Sequence, residues 1–282
     1  MMIMIDEKQS SFVTTDLVQR LQEAAVSAAR DVLSGRRIID VEGPYGRGLT
    51  TVEVGNDDIC REPGREEASA VVSRALSVPM IYRRFAISKR RIAAWQELGQ
   101  PLNLKAAEDA GQAVAEREEE FIYQGQANFH LGGLLTVTGR QTLEAGNWDN
   151  VEEVLENVIT AVNMLDDRGY RGPYGLALAP ELYNSLFRRY PGSDLLQIEH
   201  LKRLCTRGIV KAAINGCVLV AREAGSIVIG QDLQISHLNS DAAHEQFAAS
   251  ESLVLKIEAP DAICTIAATA PRGKSRSGDE RK

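Results

Sequence analysis

Gly43-Pro44-Tyr45-Gly46-Arg47-Gly48 follows a strand-like run, the place where a glycine-rich loop would cradle phosphate. Such a loop must open a helix whose N-terminal N–H groups and dipole face the anion. Here residues 49–54 alternate and are β-prone, and Pro44 stands at the wrong position, so the segment reads as a turn. Neither G-x-x-x-x-G-K-[ST] nor G-x-S-x-G occurs. The carboxylates of Glu116, Glu118, Glu119 and Glu120 raise the question of a di-iron site. Ferritin-like sites add Glu-x-x-His motifs from a four-helix bundle, and no glutamate here is followed by His at that spacing. The cluster reads instead as a solvated or subunit-contacting helix face. His130, His200, His237 and His244 form no H-E-x-x-H or comparable ligand set and read as structural or surface residues. Cys60, Cys205, Cys217 and Cys264 show no C-x-x-C spacing, which fits reduced thiols better than a disulfide scaffold or a zinc ribbon. Arg188 and Arg189, just before Tyr190-Pro191-Gly192, read as an exposed helix end and turn.

Composition narrows the class further. A length of 282 residues, 44% apolar and 25% charged, is enough for one elaborate domain or two lobes with a large core. The net charge of −7 argues against neutralising nucleic-acid phosphate by bulk charge, so no nucleic-acid partner is expected. No window approaches the ~20 consecutive apolar residues of a membrane span. The first ten residues lack the basic region and long apolar stretch of a signal peptide, so a cytoplasmic location is expected. No catalytic constellation emerges, and the chain reads as a structural protein rather than an enzyme.

The elements that would position these residues follow from periodicity. Residues 16–34 form a predicted helix with Leu17, Leu21, Ala24, Ala28 and Val32 on one face, an Asp16–Gln19 capping-box spacing and Gly35 as a stop. A short strand-like run, 38–41, follows. Residues 47–78 combine short β-prone runs with Gly48, Gly55, Pro63, Gly64 and a charge cluster at 61–67. This is a long two-stranded excursion with too few apolar residues for its own core, so it needs a partner surface. A helix over 103–123 spans about 30 Å at ~1.5 Å per residue. A third helix opens with Asp149 or Asn150 as cap, buries Val151, Val154, Leu155, Val158, Val162 and Leu165, and ends at Gly169. Residues 174–178 read as a buried strand, and 180–190 and 194–205 as short helices. From residue 210 onward β-prone runs dominate, at 217–221, 227–229, 233–235, 253–257 and 263–266. The tail, 271–282, has a disordered composition. The class is α+β, without internal repeats.

Several segments together resemble the family 1 encapsulins, also known as linocin-type bacteriocin proteins. They are Gly35-Arg36-Arg37-Ile38-Ile39-Asp40-Val41-Glu42-Gly43-Pro44-Tyr45-Gly46, then Gly132-Gly133-Leu134-Leu135 and Gly172-Pro173-Tyr174. Gly230-Gln231-Asp232-Leu233-Gln234-Ile235 and Pro260-Asp261-Ala262 complete the set. Each is weak alone; their order and spacing over residues 12–268 make the match specific.

The resemblance implies the HK97-type phage capsid fold. Residues 1–46 would supply the inner-surface helix and the start of the P-domain, and 47–78 the E-loop. Residues 79–125 would carry the spine helix of the P-domain, 126–228 the A-domain, 229–268 the P-domain return, and 269–282 a disordered tail. It also implies a self-assembling icosahedral shell of about 60 copies, or about 180 in a larger shell, enclosing a cargo enzyme of peroxidase, ferritin-like or hemerythrin-like type. Cargo would be recognised through a C-terminal peptide beside the first helix. Mapped by motif, Arg36 and Asp40 would offer polar contacts and Leu33, Ile39 and Ile235 an apolar pocket. Arg188, Arg189, Tyr190, Pro191, Gly192 and Ser193 would lie near the fivefold pore. Some members carry a fused ferritin-like domain; with a helix starting near residue 16, cargo is expected to be a separate chain. Others stack a flavin on a tryptophan just after the E-loop. Here Ser88-Lys89-Arg90-Arg91 occupies that region and Trp95 comes later, so no cofactor is expected. The amphipathic first helix favours encapsulin over the main alternative, a phage or prophage major capsid protein packaging DNA. A third reading, a hydrolase or secreted bacteriocin, lacks a catalytic set and a signal peptide.

Overall fold

The computed structural model describes residues 12–55, 58–59, 71–72, 74–145, 151–189 and 194–267. The chain begins with α1 (Thr15–Val32), β1 (Asp40–Glu42), β2 (Thr51–Glu53), β3 (Asp58–Ile59), β4 (Val71–Val72), β5 (Ala75–Ser77), β6 (Met80–Ser88), α2 (Lys89–Leu98) and α3 (Lys105–Tyr123). It continues through β7 (Gly125–Gln126), β8 (Leu131–Gly132), β9 (Gln141–Glu144), α4 (Val151–Asp167), β10 (Tyr174–Leu178), α5 (Pro180–Ser185) and α6 (Gln197–Leu204). The last strands are β11 (Gly208–Lys211), β12 (Cys217–Ala221), β13 (Gly225–Ser240), β14 (His244–Ile257) and β15 (Ile263–Ala267).

Two sheets organise the fold. The first has the order β1-β13-β14-β6, with β1 parallel to β13 and the other pairs antiparallel. Its centre is the long β13–β14 hairpin, bulged where the register shifts between Ile229 and Gln231 and between Gln231 and Gln234. The helix α3 lies against β6 and β14, and α1 lies against α3 and β13. The second sheet has the order β11-β10-β12-β15-β9. Every residue of β10 and β12 is buried, which matches their uninterrupted apolar sequences. One apolar core is continuous through both sheets, from Leu17 and Leu21 to Leu219 and Ile263.

The described residues within 47–78 pair as the anticipated two-stranded excursion. The strands β2 and β5 pair antiparallel, as do β3 and β4 farther out, and 56–57, 60–70 and 73 lie outside the described residues. At its base Leu49, Val52, Leu76 and Val78 pack on Leu131, Val228 and Val254, a small cluster separate from the main core.

Several sequence expectations shift for physical reasons. The buried stripe of α1 is Leu17, Leu21, Ala25 and Ala29, displaced by one residue from the one expected beyond Leu21, so Ala24 and Ala28 are only half-buried. Thr14, not Asp16, caps the helix, its hydroxyl accepting from the Leu17 N–H at 3.3 Å. Asp16 instead pairs with Arg20 across one turn. Gly35 does not stop α1, whose C-terminal cap is Leu33; it opens a 3-10 turn, Gly35–Arg37. A Cβ there would stand 2.9 Å from the Ile122 side chain, so the glycine serves close approach. The strand expected at 38–41 begins only at Asp40. The turn at Gly43 hugs β13, with the Tyr45 N–H donating to the Ile229 carbonyl at 3.0 Å, and leads to β2 rather than to a helix. The runs 227–229 and 233–235 are parts of one bulged strand, and the helix expected over 180–190 closes at Ser185. The expected Asp149 or Asn150 cap lies outside the described residues. β6 and α2 have no counterpart in the sequence reading.

Candidate functional site

The junction between α1 and β1 gathers the charges that the sequence scatters. Glu118 and Glu119 are not on a solvated face: they are 0% and 7% exposed, whereas Glu116 and Glu120 face solvent. The Glu119 carboxylate accepts from the Ser34 N–H at 3.0 Å, the Gly35 N–H at 2.9 Å and the Ser34 hydroxyl. Tyr123 adds its hydroxyl to that of Ser34 at 2.8 Å. Glu119 therefore caps the turn that reverses the chain after α1. Burial raises its pKa above the usual carboxylate range, and the three donors only partly offset this.

Arg36 sits beside it as the hub of a second cluster. Its Nε and Nη2 form a two-pronged bridge to Glu118 at 2.7 and 2.9 Å, Nη1 donates to Asp232 at 2.9 Å, and Nη2 also reaches Glu251. Burial opposes the guanidinium charge, but the surrounding carboxylates hold its pKa above the normal value. Gln22 on α1 makes a further tie. Its Nε2 donates to the Leu233 carbonyl and its Oε1 accepts from the Ile235 N–H, both at 2.7 Å. A side-chain amide thus completes the hydrogen bonding of β13 beyond the end of β1, which pairs only with Ser226, Ile227 and Val228.

Between α1 and β13 these ties frame a cleft of about 310 Å³, lined by Gln22, Val26, Ala29, Leu33, Arg36 and Leu233 among others. It shares Gln22, Val26 and Arg30 with a wider groove along the outer face of α1. Of the residues anticipated from sequence, Leu33 and Arg36 line this cleft together. Ile39 and Ile235 do not; they are 3% and 7% exposed and belong to the core. Asp40 is exposed and turned to other partners, with Arg207 at 2.5 Å and Arg222 at 3.8 Å. Gln22, Glu118 and Glu251 escape sequence reasoning, since their partners lie between 82 and 215 positions away.

Arg188 and Arg189 are exposed after α5, and Arg189 faces Asp194 at 3.8 Å. The Gln197 N–H donates to the Arg188 carbonyl at 3.2 Å, closing the base of the loop. Tyr190, Pro191, Gly192 and Ser193 lie outside the described residues. His237 bonds the buried Glu245 at 2.8 Å, and His244 faces Asp241. Among the described residues no group of His, Cys, Asp and Glu is arranged to hold a metal, and no helix is long and apolar enough to cross a membrane. Cys205, Cys217 and Cys264 are buried free thiols, and burial pushes all three pKa values up.

Comparison with known proteins fits this architecture. The model of the family described as encapsulating protein for peroxidase, Linocin_M18, matches residues 4–254. The type 1 encapsulin shell protein EncA of Myxococcus xanthus is 32% identical over 263 residues, covering 88% of this chain and 91% of that protein. A type 1 encapsulin shell protein of Rhodococcus erythropolis is 25% identical over 253 residues, covering 88% and 93%. Among solved structures, the virus-like particle from Pyrococcus furiosus aligns with a TM-score of 0.70 at 23% identity, over 89% of this chain and 99% of that one. The capsid of the phage XM1 aligns with a TM-score of 0.61 at 14% identity, over 82% and 90%. The fold is thus the HK97-type capsid fold, and with a family match along most of its length the chain belongs to the Linocin_M18 family of encapsulin shell proteins.

Proposed function

We propose that this chain is the subunit of a closed icosahedral shell that sequesters a separate cargo enzyme in the cytoplasm and has no catalytic activity of its own. The observation that carries this reading is the two-way coverage of the capsid fold: 89% of this chain and 99% of the particle subunit align. Nearly all the aligned chain is used in building the wall. Closed cubic symmetry calls for about 60 copies, or about 180 in a larger shell. The excursion at 47–78 serves as the E-loop reaching neighbouring subunits, and the loop after α5, with Arg188 and Arg189, flanks the fivefold pore. Residues 79–125 and 229–268 form the P-domain, and 126–228 the A-domain.

Cargo docks through a C-terminal peptide in the cleft beside α1, its apolar anchors against Val26, Leu33 and Leu233. Ile39 and Ile235 are core residues that a peptide in the cleft would not touch, and Asp40 contributes only if it exchanges Arg207 for the peptide. The relatives include shell proteins fused to a diheme cytochrome and to a ferritin-like domain, which supports a redox or iron-handling cargo. Negative-stain microscopy of the purified protein tests the reading. Uniform hollow spheres, roughly 20 to 35 nm across for a closed assembly, are expected, and their loss is expected on deleting residues 50–76. A small monodisperse oligomer under every assembly condition would overturn it.

A further inference from the structure

The clasp beside the cleft has more acid than base in its interior. Glu118 and Glu251 are 0% and 2% exposed, and both point at the single guanidinium of Arg36. Both carboxylates accept from the same Arg36 Nη2, so their oxygens converge on one atom, and a proton on one of them relieves the repulsion between two acceptor-only groups. Among the described residues the surroundings supply no second buried cation. Facing Glu251 are Glu118 from α3, with Glu119 one residue on, and Arg36 from the 3-10 turn. From β13 comes Asp232, which is exposed and spends its charge on Arg36, and from α1 Arg30 reaches the rim of the same cleft. On β6 the residue paired with Glu251 is Ile81, which is uncharged. One positive charge cannot hold two buried negative ones as cheaply as it holds one.

We propose that Arg36, Glu118 and Glu251 form a one-proton clasp that locks the C-terminal end of α1 to the sheet, and that losing this proton in alkali opens the cleft beside α1. The inference rests on the docking reading for its consequence, release of cargo, but the clasp itself is independent of cargo. Burial and the neighbouring Glu118 push Glu251 up to about 9, against the attraction of Arg36. An exposed glutamate loses its proton near 4.5. The clasp therefore weakens as pH rises between these two values, because opening releases a proton that the closed form retains. Above the upper value the closed form carries an uncompensated buried charge.

The test uses assembled full-length protein with Ser27→Cys on the exposed groove face of α1, in a Cys60→Ser background, labelled with an environment-sensitive fluorophore. A one-proton fluorescence transition with its midpoint between pH 4.5 and about 9 is expected, and Glu251→Gln, which imitates the protonated acid, should abolish it. If that variant does not assemble, Glu118→Gln serves equally, because either amide removes the need for the shared proton. A transition that persists unchanged in the assembled amide variant, or its absence from the parent protein, would overturn the clasp. Microscopy of the same samples separates the two ideas: particles without a transition sink only the clasp, whereas absence of particles sinks the shell.

Discussion

Gly111 on α3 and Ala25 on α1 meet backbone to backbone, so close that a Cβ on Gly111 would stand 2.2 Å from the Ala25 carbonyl oxygen. The whole docking of α1 depends on this crossing, because Leu17, Leu21, Ala25 and Ala29 are buried only if the helix axes come that near. Gly111→Ala is therefore expected to cost about 1–3 kcal/mol or more, the range for overpacking a fitted contact. Gly48→Ala, where an added Cβ meets nothing within 4 Å, should change stability by less than about 0.5 kcal/mol. Urea unfolding of the two variants checks the difference.

The Gln22 amide substitutes for a missing strand neighbour. Gln22→Leu keeps the bulk of the side chain but leaves the Leu233 carbonyl and the Ile235 N–H without their partner. A loss of about 1–3 kcal/mol is expected from the stranded groups. Gln19→Leu, which removes only an exposed bond to Glu23, is the control and should be nearly neutral. Denaturant midpoints of both variants decide whether the amide or the helix surface matters.

The N-terminus of α1 separates two capping schemes. With Thr14 as the cap, Thr14→Ala should lower stability by about 1 kcal/mol. Asp16→Ala removes one exposed pair with Arg20 and should cost about 0.5 kcal/mol or less. Equal losses, or a larger loss at Asp16, would restore the capping box read from sequence.

Asp241 closes the β13–β14 turn by accepting from the Ala243 and His244 N–H groups, both at 2.8 Å, and from the Gln246 amide. The Ala243 N–H, the Gln246 amide and the His244 N–H, in that order, lower its pKa to about 2 from 3.8. A folded-state pKa below the unfolded one gives stability that is present above pH 3.8 and lost as pH falls toward 2. Asp241→Asn should flatten this part of the acid limb in a pH series of thermal unfolding. An unchanged acid limb would show that the turn does not depend on the carboxylate charge.

Much of the architecture is legible in sequence because it rests on local rules. The helices α3 and α4 show apolar periodicity, and β10 and β12 are short apolar runs preceded by Gly172-Pro173 and Asn215-Gly216. Errors fall where neighbouring residues compete for one role or where a distant partner overrides the local rule. Asp16 has the right type for a cap, but Thr14 takes the position; Gly35 resembles a helix stop, but Ile122 is what excludes a side chain there. The stretch from Met80 to Leu98 carries a weak sequence signal because β6 is largely exposed and alternates poorly. Arg83, exposed on the same alternation as the buried Ile81 and Ile87, breaks the pattern.

By itself the sequence determines a long chain with an amphipathic first helix, a core-poor excursion, a long helix near residues 103–123 and a family resemblance in ordered motifs. These properties need only neighbours along the chain and the side-chain periods of helix and strand. What tertiary structure alone decides is the fate of the charges. Glu116, Glu118, Glu119 and Glu120 look alike in sequence, yet two face water and two are buried under Ser34, Gly35 and Arg36. The physical reason is that a buried carboxylate is tolerable only where donors converge on it, and here they come from residues more than 80 positions away. The same convergence forms the cleft, since Leu33 and Leu233 become neighbours only when α1 crosses β13.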